Sequence, residues 1–365
     1  MKGAFLILLT IHGLIHLIGH YNAYNPGKID GMTLPVSRPY GFLWLATAVL
    51  LVISAILLML NLYWWWILGS VALGLSQFLV IRFWHDARFG TVGNVILLFG
   101  LIVGLGNWLF YQEYRDDYLN GIDRSEKIVE EVLTEKDLKH LPAAVKRYLN
   151  YTGVVGKPKV YNFRTRMRAQ LRNEGEDWFR LRSEQYNFVD EYERLFFLRA
   201  VVKGMPVRGY HKYMKSEARM LIKALSWFPL IDESGEQLFE AETVTLFNDM
   251  CVMAPATLIS ENIVWEEVDV NIVRATITNG TTSISAILVF NELGQLVNFI
   301  SDDRYDIKRK KKIRFSTPIS DYKERNGYQL ATYGEAIWHY PEGDFTYGKF
   351  KIRNVRYNVS EDSVL

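Results

Sequence analysis

The sequence predicts an α-helical membrane anchor of four spans followed by an α+β domain, a large curved antiparallel sheet with one inserted helix. Three observations predict it. Four apolar stretches near the N-terminus approach or exceed the ~20 residues that cross a bilayer. Charge is sharply divided: of 42 Lys and Arg and 40 Asp and Glu, only Lys2, Lys28, Arg38, Arg82, Arg88, Asp30 and Asp86 precede residue 112. From Lys157 onward the apolar period changes to two, with turn residues between the runs.

The apolar stretches lie near 3–21, 42–61, 63–83 and 92–111. Lys2 before an apolar run has the look of a signal peptide. The following His20-Tyr-Asn-Ala-Tyr24 lacks the small residues of a cleavage site, however, and three more spans follow. Only Asn61-Leu62-Tyr63 separates the second stretch from the third, which predicts a tight helical hairpin. Trp64, Trp65 and Trp66 then fall at the water boundary, where indole rings prefer to lie. An even number of spans puts the N-terminus and the polar domain on one side. The short loops on the other side carry Lys28, Arg38, Arg82 and Arg88, and basic short loops stay in the cytoplasm. The domain is therefore expected outside it.

Within the spans, His12, His16 and His20 recur every four residues and share one helix face. Ionisable groups in a span usually face the bundle interior and often carry function. Antiparallel spans put His16 and His20 at the membrane depth of His85 and Asp86. These four residues are the candidate metal set, and a His from each of two helices could ligate haem. The plainer alternative is that the imidazoles hydrogen-bond between helices.

Residues 112–157 read as a helical connector between the anchor, 1–111, and the β domain, 158–365. Ser125 before an amphipathic Lys127–Leu133 predicts one helix there, and Pro142 opens another that runs to Leu149. Within 160–172 the odd positions, such as Phe163, Met167 and Leu171, are apolar. The even ones include Arg164, Arg166, Arg168 and Arg172. That is a strand with one wet, basic face. Eleven further strands are expected between 177 and 359, with turns at Lys203-Gly204, Asn279-Gly280 and Asn326-Gly327 among others. The last strand changes phase and predicts a bulge near Arg353-Asn354. One helix, 234–250, interrupts the series, with Ser234 as its N-cap and Gln237 completing a capping box. A curved sheet around a helix leaves an apolar groove, and Trp227, Phe228, Phe247, Trp265 and Trp338 are the candidates to line it.

Composition narrows the function. A net charge of +2 with 49% apolar residues fits neither a disordered chain nor a nucleic-acid binder. A single cysteine, Cys251, excludes an internal disulfide and a multi-cysteine metal site. It has no activating neighbour and reads as an inert buried thiol. The run Lys308-Arg-Lys-Lys-Lys312 reads as a solvated hairpin tip. There is no Gly-rich phosphate loop, no triad spacing and no repeat.

Several runs carry a resemblance. His12-Gly-Leu-Ile-His16-Leu-Ile-Gly19, Trp84-His-Asp86-Ala-Arg-Phe-Gly90 and Asn94 resemble a family of bacterial membrane proteins known only as a domain of unknown function. So do Leu141-Pro-Ala-Ala-Val-Lys-Arg-Tyr148, Ala254-Pro-Ala-Thr-Leu258, Val264-Trp265, Phe299-Ile-Ser-Asp-Asp-Arg304-Tyr305 and Tyr333 through Trp338. Relatives carry Trp-Phe-Pro where this chain has Met253-Ala254-Pro255, a change that bears on the shape of any pocket there. By architecture the polar domain is similar to the curved-sheet lipoprotein carriers that move acyl chains across the bacterial envelope; this is fold analogy alone. The leading expectation is a membrane-anchored protein that binds a lipid or other hydrophobic ligand and has membrane lipids as partners. A haem or metal redox protein on the histidine face is the alternative. An enzyme modifying envelope lipids is the third.

Overall fold

The computed structural model describes residues 2–29, 33–62, 64–215 and 217–363. Tyr63, in the expected hairpin turn, lies outside them. The chain divides into two compact units, Met1–Tyr111 and Gln112–Leu365.

The first unit holds α1 (Lys2–Tyr24), α2 (Arg38–Met59), α3 (Trp65–Arg82), the short α4 (Trp84–Ala87) and most of α5 (Gly90–Ser125). All but α4 are long and apolar enough to cross a membrane. Leu9, Leu51, Ala55, Ala72 and Leu97 form a buried seam. Small residues let the helices approach. A Cβ on Gly19 would lie 2.4 Å from the Trp44 indole, and one on Gly93 would lie 2.7 Å from the His12 ring.

The second unit begins with the last turns of α5. The helix stops at Ser125, where a new one was expected to start. Residues 126–142 are irregular instead of helical. Leu133 N–H donates to Lys157 and Lys159 N–H donates to Glu131, so this segment pairs with the chain ahead of the sheet. The short helix α6 (Ala143–Thr152) follows, and Gly153 at φ 70° ends it.

Six strands then run as an antiparallel meander. They are β1 (Asn162–Leu171), β2 (Phe179–Phe188), β3 (Glu193–Val202), β4 (Met205–Met214), β5 (Glu217–Ala224) and β6 (Phe228–Ser234). The inserted helix α7 (Glu236–Met253) comes next, and then β7 (Ile263–Asp269), β8 (Ile272–Asn279), β9 (Thr282–Phe290) and β10 (Leu296–Ser301). A small ribbon, β11 (Tyr305–Asp306) with β12 (Lys311–Lys312), precedes the long β13 (Phe315–Arg325), β14 (Tyr328–Tyr340) and β15 (Gly343–Tyr357). Thirteen strands make one antiparallel sheet in the order β6-β5-β4-β3-β2-β1-β15-β14-β13-β10-β9-β8-β7. The first and last strands meet in the middle. The sheet stays unclosed, with β6 and β7 as its edges, and α7 carries the chain from one edge to the other.

The expected bulge is present: Arg166 stands opposite Asn354 and Met167 opposite Ile352, leaving Arg353 over. A second bulge leaves Tyr347 over against β14. α7 starts two residues later than expected. The chain stays extended through Ser234 and turns at Gly235, φ 110°, a conformation that favours glycine. One side of α7 is packed into the core. Phe247 meets Phe299 edge to face at 5.7 Å, and the Tyr148 hydroxyl donates to the Cys251 carbonyl.

Candidate functional site

The other side of α7 faces a cavity of about 650 Å³ on the concave side of the sheet. That volume lies in the ~300–1,000 Å³ range of small-molecule sites. The helix contributes Leu238, Ala241, Glu242, Thr245, Asp249 and Val252. At 100° per residue these, with the lining Asn248 and Met253, fall within an arc of roughly 140°, which leaves Phe247 on the opposite side. The strands contribute inward-facing Met167, Phe196, Leu198, Ile319 and Trp338. Most of this wall is apolar.

Into that wall is set one buried charged cluster. Arg194 occupies an inward position of β3, in step with Phe196 and Leu198, and is 6% exposed. Its Nε donates to Asp249 Oδ2 at 2.7 Å, Nη1 to Glu242 Oε2 at 3.1 Å and Nη2 to Gln185 Oε1 at 3.2 Å. His211 Nδ1 lies 3.6 Å from Glu242. Burial pushes both carboxyls up. At Glu242 the charge of Arg194 and the contact with His211 win and hold it down at about 2. At Asp249 burial wins over Arg194 and Gln185, and the group stays above its usual range. Two buried polar atoms of cavity-lining residues have no protein partner, Asn248 Oδ1 and His211 Nε2. Arg304 lies over the Phe315 ring at 3.9 Å and near Trp338 at 5.2 Å. The arrangement offers an apolar chain a dry wall and offers a polar group a few fixed contacts.

Of the five aromatic candidates, Trp338 lines this cavity. Phe247 is fully buried in the core. Trp265, on β7, packs against the same core. Trp227 and Phe228 lie where β5 turns into β6 and are 41% and 62% exposed. Met253 lines the cavity. The residues that sequence reasoning passed over are Arg194, Glu242 and Thr245. Their signal was a charge at an inward position of an apolar strand. A larger hollow of about 760 Å³ is lined chiefly by charged and turn residues, such as Lys215, Glu217, Glu236 and Gly280.

The histidines of the first unit have other partners. His16 Nε2 bonds to Ser76 Oγ at 2.9 Å, and His12 Nε2 to Asn94 Oδ1 at 2.8 Å. Ser76 donates to the same Asn94 oxygen, so α1, α3 and α5 are tied by one polar network. His20 Nδ1 pairs with the Gly41 carbonyl at 2.9 Å. Asp86 accepts from the backbone N–H groups of Thr33 and Leu34, and His85 contacts the Thr33 hydroxyl. Among the described residues, no three His, Cys, Asp or Glu side chains are grouped to hold a metal ion.

These features define a class: a chain with four membrane-length apolar helices and an unclosed β-sheet domain that keeps an apolar cavity beside an internal helix. The chain belongs to DUF6544, a family of unknown function, whose model matches residues 131–350. No curated protein matches it. The crystal structure of a LolA superfamily protein from Nitrosomonas europaea is similar with a TM-score of 0.33 and 10% identity, over 61% of this chain and 95% of that one.

Proposed function

We propose that the β domain binds a lipid or another hydrophobic ligand in the cavity beside α7, on a chain anchored in the membrane by its four apolar helices. The supporting observation is the cavity itself: about 650 Å³, walled mainly by apolar side chains, with a few buried polar groups. Small-molecule sites have this composition, in which apolar area supplies affinity and a few polar groups set orientation. A well-packed core would leave no such space.

The test uses the full chain in detergent and a hexadecanoic acid bearing a photoreactive diazirine. Adducts are expected on peptides carrying Met167, Val252 and Trp338. Thr245→Phe should fill the cavity and lower those adducts severalfold while the unfolding temperature holds. Adducts confined to residues 2–111, or an equal yield in the variant, would overturn the proposal.

A further inference from the structure

The convex face of the sheet, opposite the cavity, carries a second arrangement. Lys351 of β15 stands opposite Arg168 of β1, and Arg168 opposite Arg182 of β2. Arg182 stands opposite Arg199 of β3, Arg199 opposite Arg208 of β4, and Arg208 opposite Lys223 of β5. Directly opposed residues share one face, and neighbouring strands lie about 4.8 Å apart, so the six cations form one row roughly 24 Å long. Parity fixes the face. Met167, Leu198, Ile222 and Ile352, each next in sequence to a member of the row, line the cavity, so the row points outward.

Like charges set directly opposite one another repel. Arg168, Arg182 and Lys351 are exposed. Among the described residues none of these three has a carboxylate within ion-pair distance. Glu184, on the same face of β2, is engaged by Arg164 and Arg166.

The position of the row is also fixed. The last turns of α5 lie on this outer face. A Cβ on Gly121 would touch the Phe188 ring at 2.4 Å. Tyr118 stacks on Tyr186 at 4.3 Å, and Tyr114 on Phe197 at 5.1 Å. Running back along the helix therefore leads from Phe188 toward Phe197. The next outward residue of β3 beyond Phe197 is Arg199, a member of the row. The row thus lies at the end of the domain where the chain enters it at Gln112.

We infer that this row is a binding strip for the anionic headgroups of phospholipids. A row of cations across six strands matches an extended anionic surface better than one compact ligand. Basic residues close to an anionic leaflet gain from it, and the gain fades within a Debye length.

The test uses the full chain in nanodiscs of phosphatidylcholine, with and without phosphatidylglycerol. Val201, exposed on the same face, is changed to Cys and labelled with a donor fluorophore; the native Cys251 is buried. Energy transfer to a headgroup-bound acceptor should rise with phosphatidylglycerol and fall back in high salt. R168Q/R182Q/K351Q should abolish the rise while keeping the unfolding temperature, and R168K/R182K/K351R should retain it. Equal transfer in both lipid compositions, or a rise that survives the glutamine substitutions, overturns the inference. So does tight, salt-sensitive binding of an oligonucleotide that the glutamine variant loses, because it would assign the strip to nucleic acid.

Discussion

Arg194→Met tests whether the cavity wall depends on its one buried charged cluster. In the native chain a single guanidinium serves two carboxylates, Asp249 at 2.7 Å and Glu242 at 3.1 Å. Methionine keeps much of the side-chain volume and removes the charge. Glu242 then retains His211 and Asp249 retains Gln185, and neither partner replaces a guanidinium. Breaking a buried ion pair from one side costs about 3–5 kcal/mol, because the remaining charge is left without compensation. For a unit of this size that is a fall in unfolding temperature on the order of 10 °C. The assay is intrinsic tryptophan fluorescence of the full chain during a thermal scan. The triple variant R194M/E242Q/D249N should recover at least half of the loss, since neither carboxylate of the cluster is left charged without its guanidinium. The sign with pH follows. In the native protein Glu242 lies at about 2, below its usual 4.5, so its stabilisation is complete above 4.5 and is lost as pH falls toward 2. In R194M both carboxyls rise instead, and protonating them relieves the strain. The gap between variant and native protein should narrow as pH is lowered from 7 toward 4. A variant within ~1 kcal/mol of the native protein at pH 7, or a gap that widens in acid, refutes the reasoning.

Two further outcomes separate the faces of the molecule. Phe247→Ala should cost about 3–5 kcal/mol, as for a fully buried ring, whereas Phe247→Leu should leave photolabelling of the cavity unchanged; reduced labelling would move the ligand to the core side of α7. From the basic loops around Lys28, Arg38, Arg82 and Arg88 we expect the β domain outside the cytoplasm, and protease added to intact bacterial cells expressing the chain should then remove it. Protection until lysis would reverse the orientation.

The strands were legible because one side of the sheet is buried and its period is two. The hairpin turns were legible for a local reason: Lys203-Gly204 and Asn326-Gly327 have positive φ at both residues, as two-residue turns between twisted strands require. Strand β6 was not legible. It is an edge strand exposed at every position, with Pro229 and the acids Asp232 and Glu233, so it has no buried side to impose a pattern. The period in Lys127–Leu133 suggested a helix, but backbone pairing with residues 157–159 outweighed that local preference. The end of α7 at Ser234 was misplaced because a good capping residue precedes a glycine that makes the actual turn.

The cavity lining was hidden for a more general reason. Aromatics do line it, Phe196, Phe315 and Trp338 among them, but residue type alone does not separate these from an aromatic that fills the core. Phe247 occupies the side of α7 that is closed. The open side carries Ala241 and Thr245, which are too short to reach the strands across from them. It also carries Glu242 and Asp249, which Arg194 holds against the sheet. On a helix that is buried nearly all round, the period does not choose a face. A stripe of small and acidic residues at 241, 242, 245 and 249 would ordinarily be read as the solvent side. The deciding information sits about fifty residues earlier, in an arginine at an inward position of β3. An inward charge on an apolar strand requires a carboxylate from whatever covers it, and only a helix turned with that stripe toward β3 can supply two. The same turn of the helix removes its bulky residues from the space beside Phe196 and Leu198. In this fold the ion cluster and the cavity are therefore consequences of one choice of helix face.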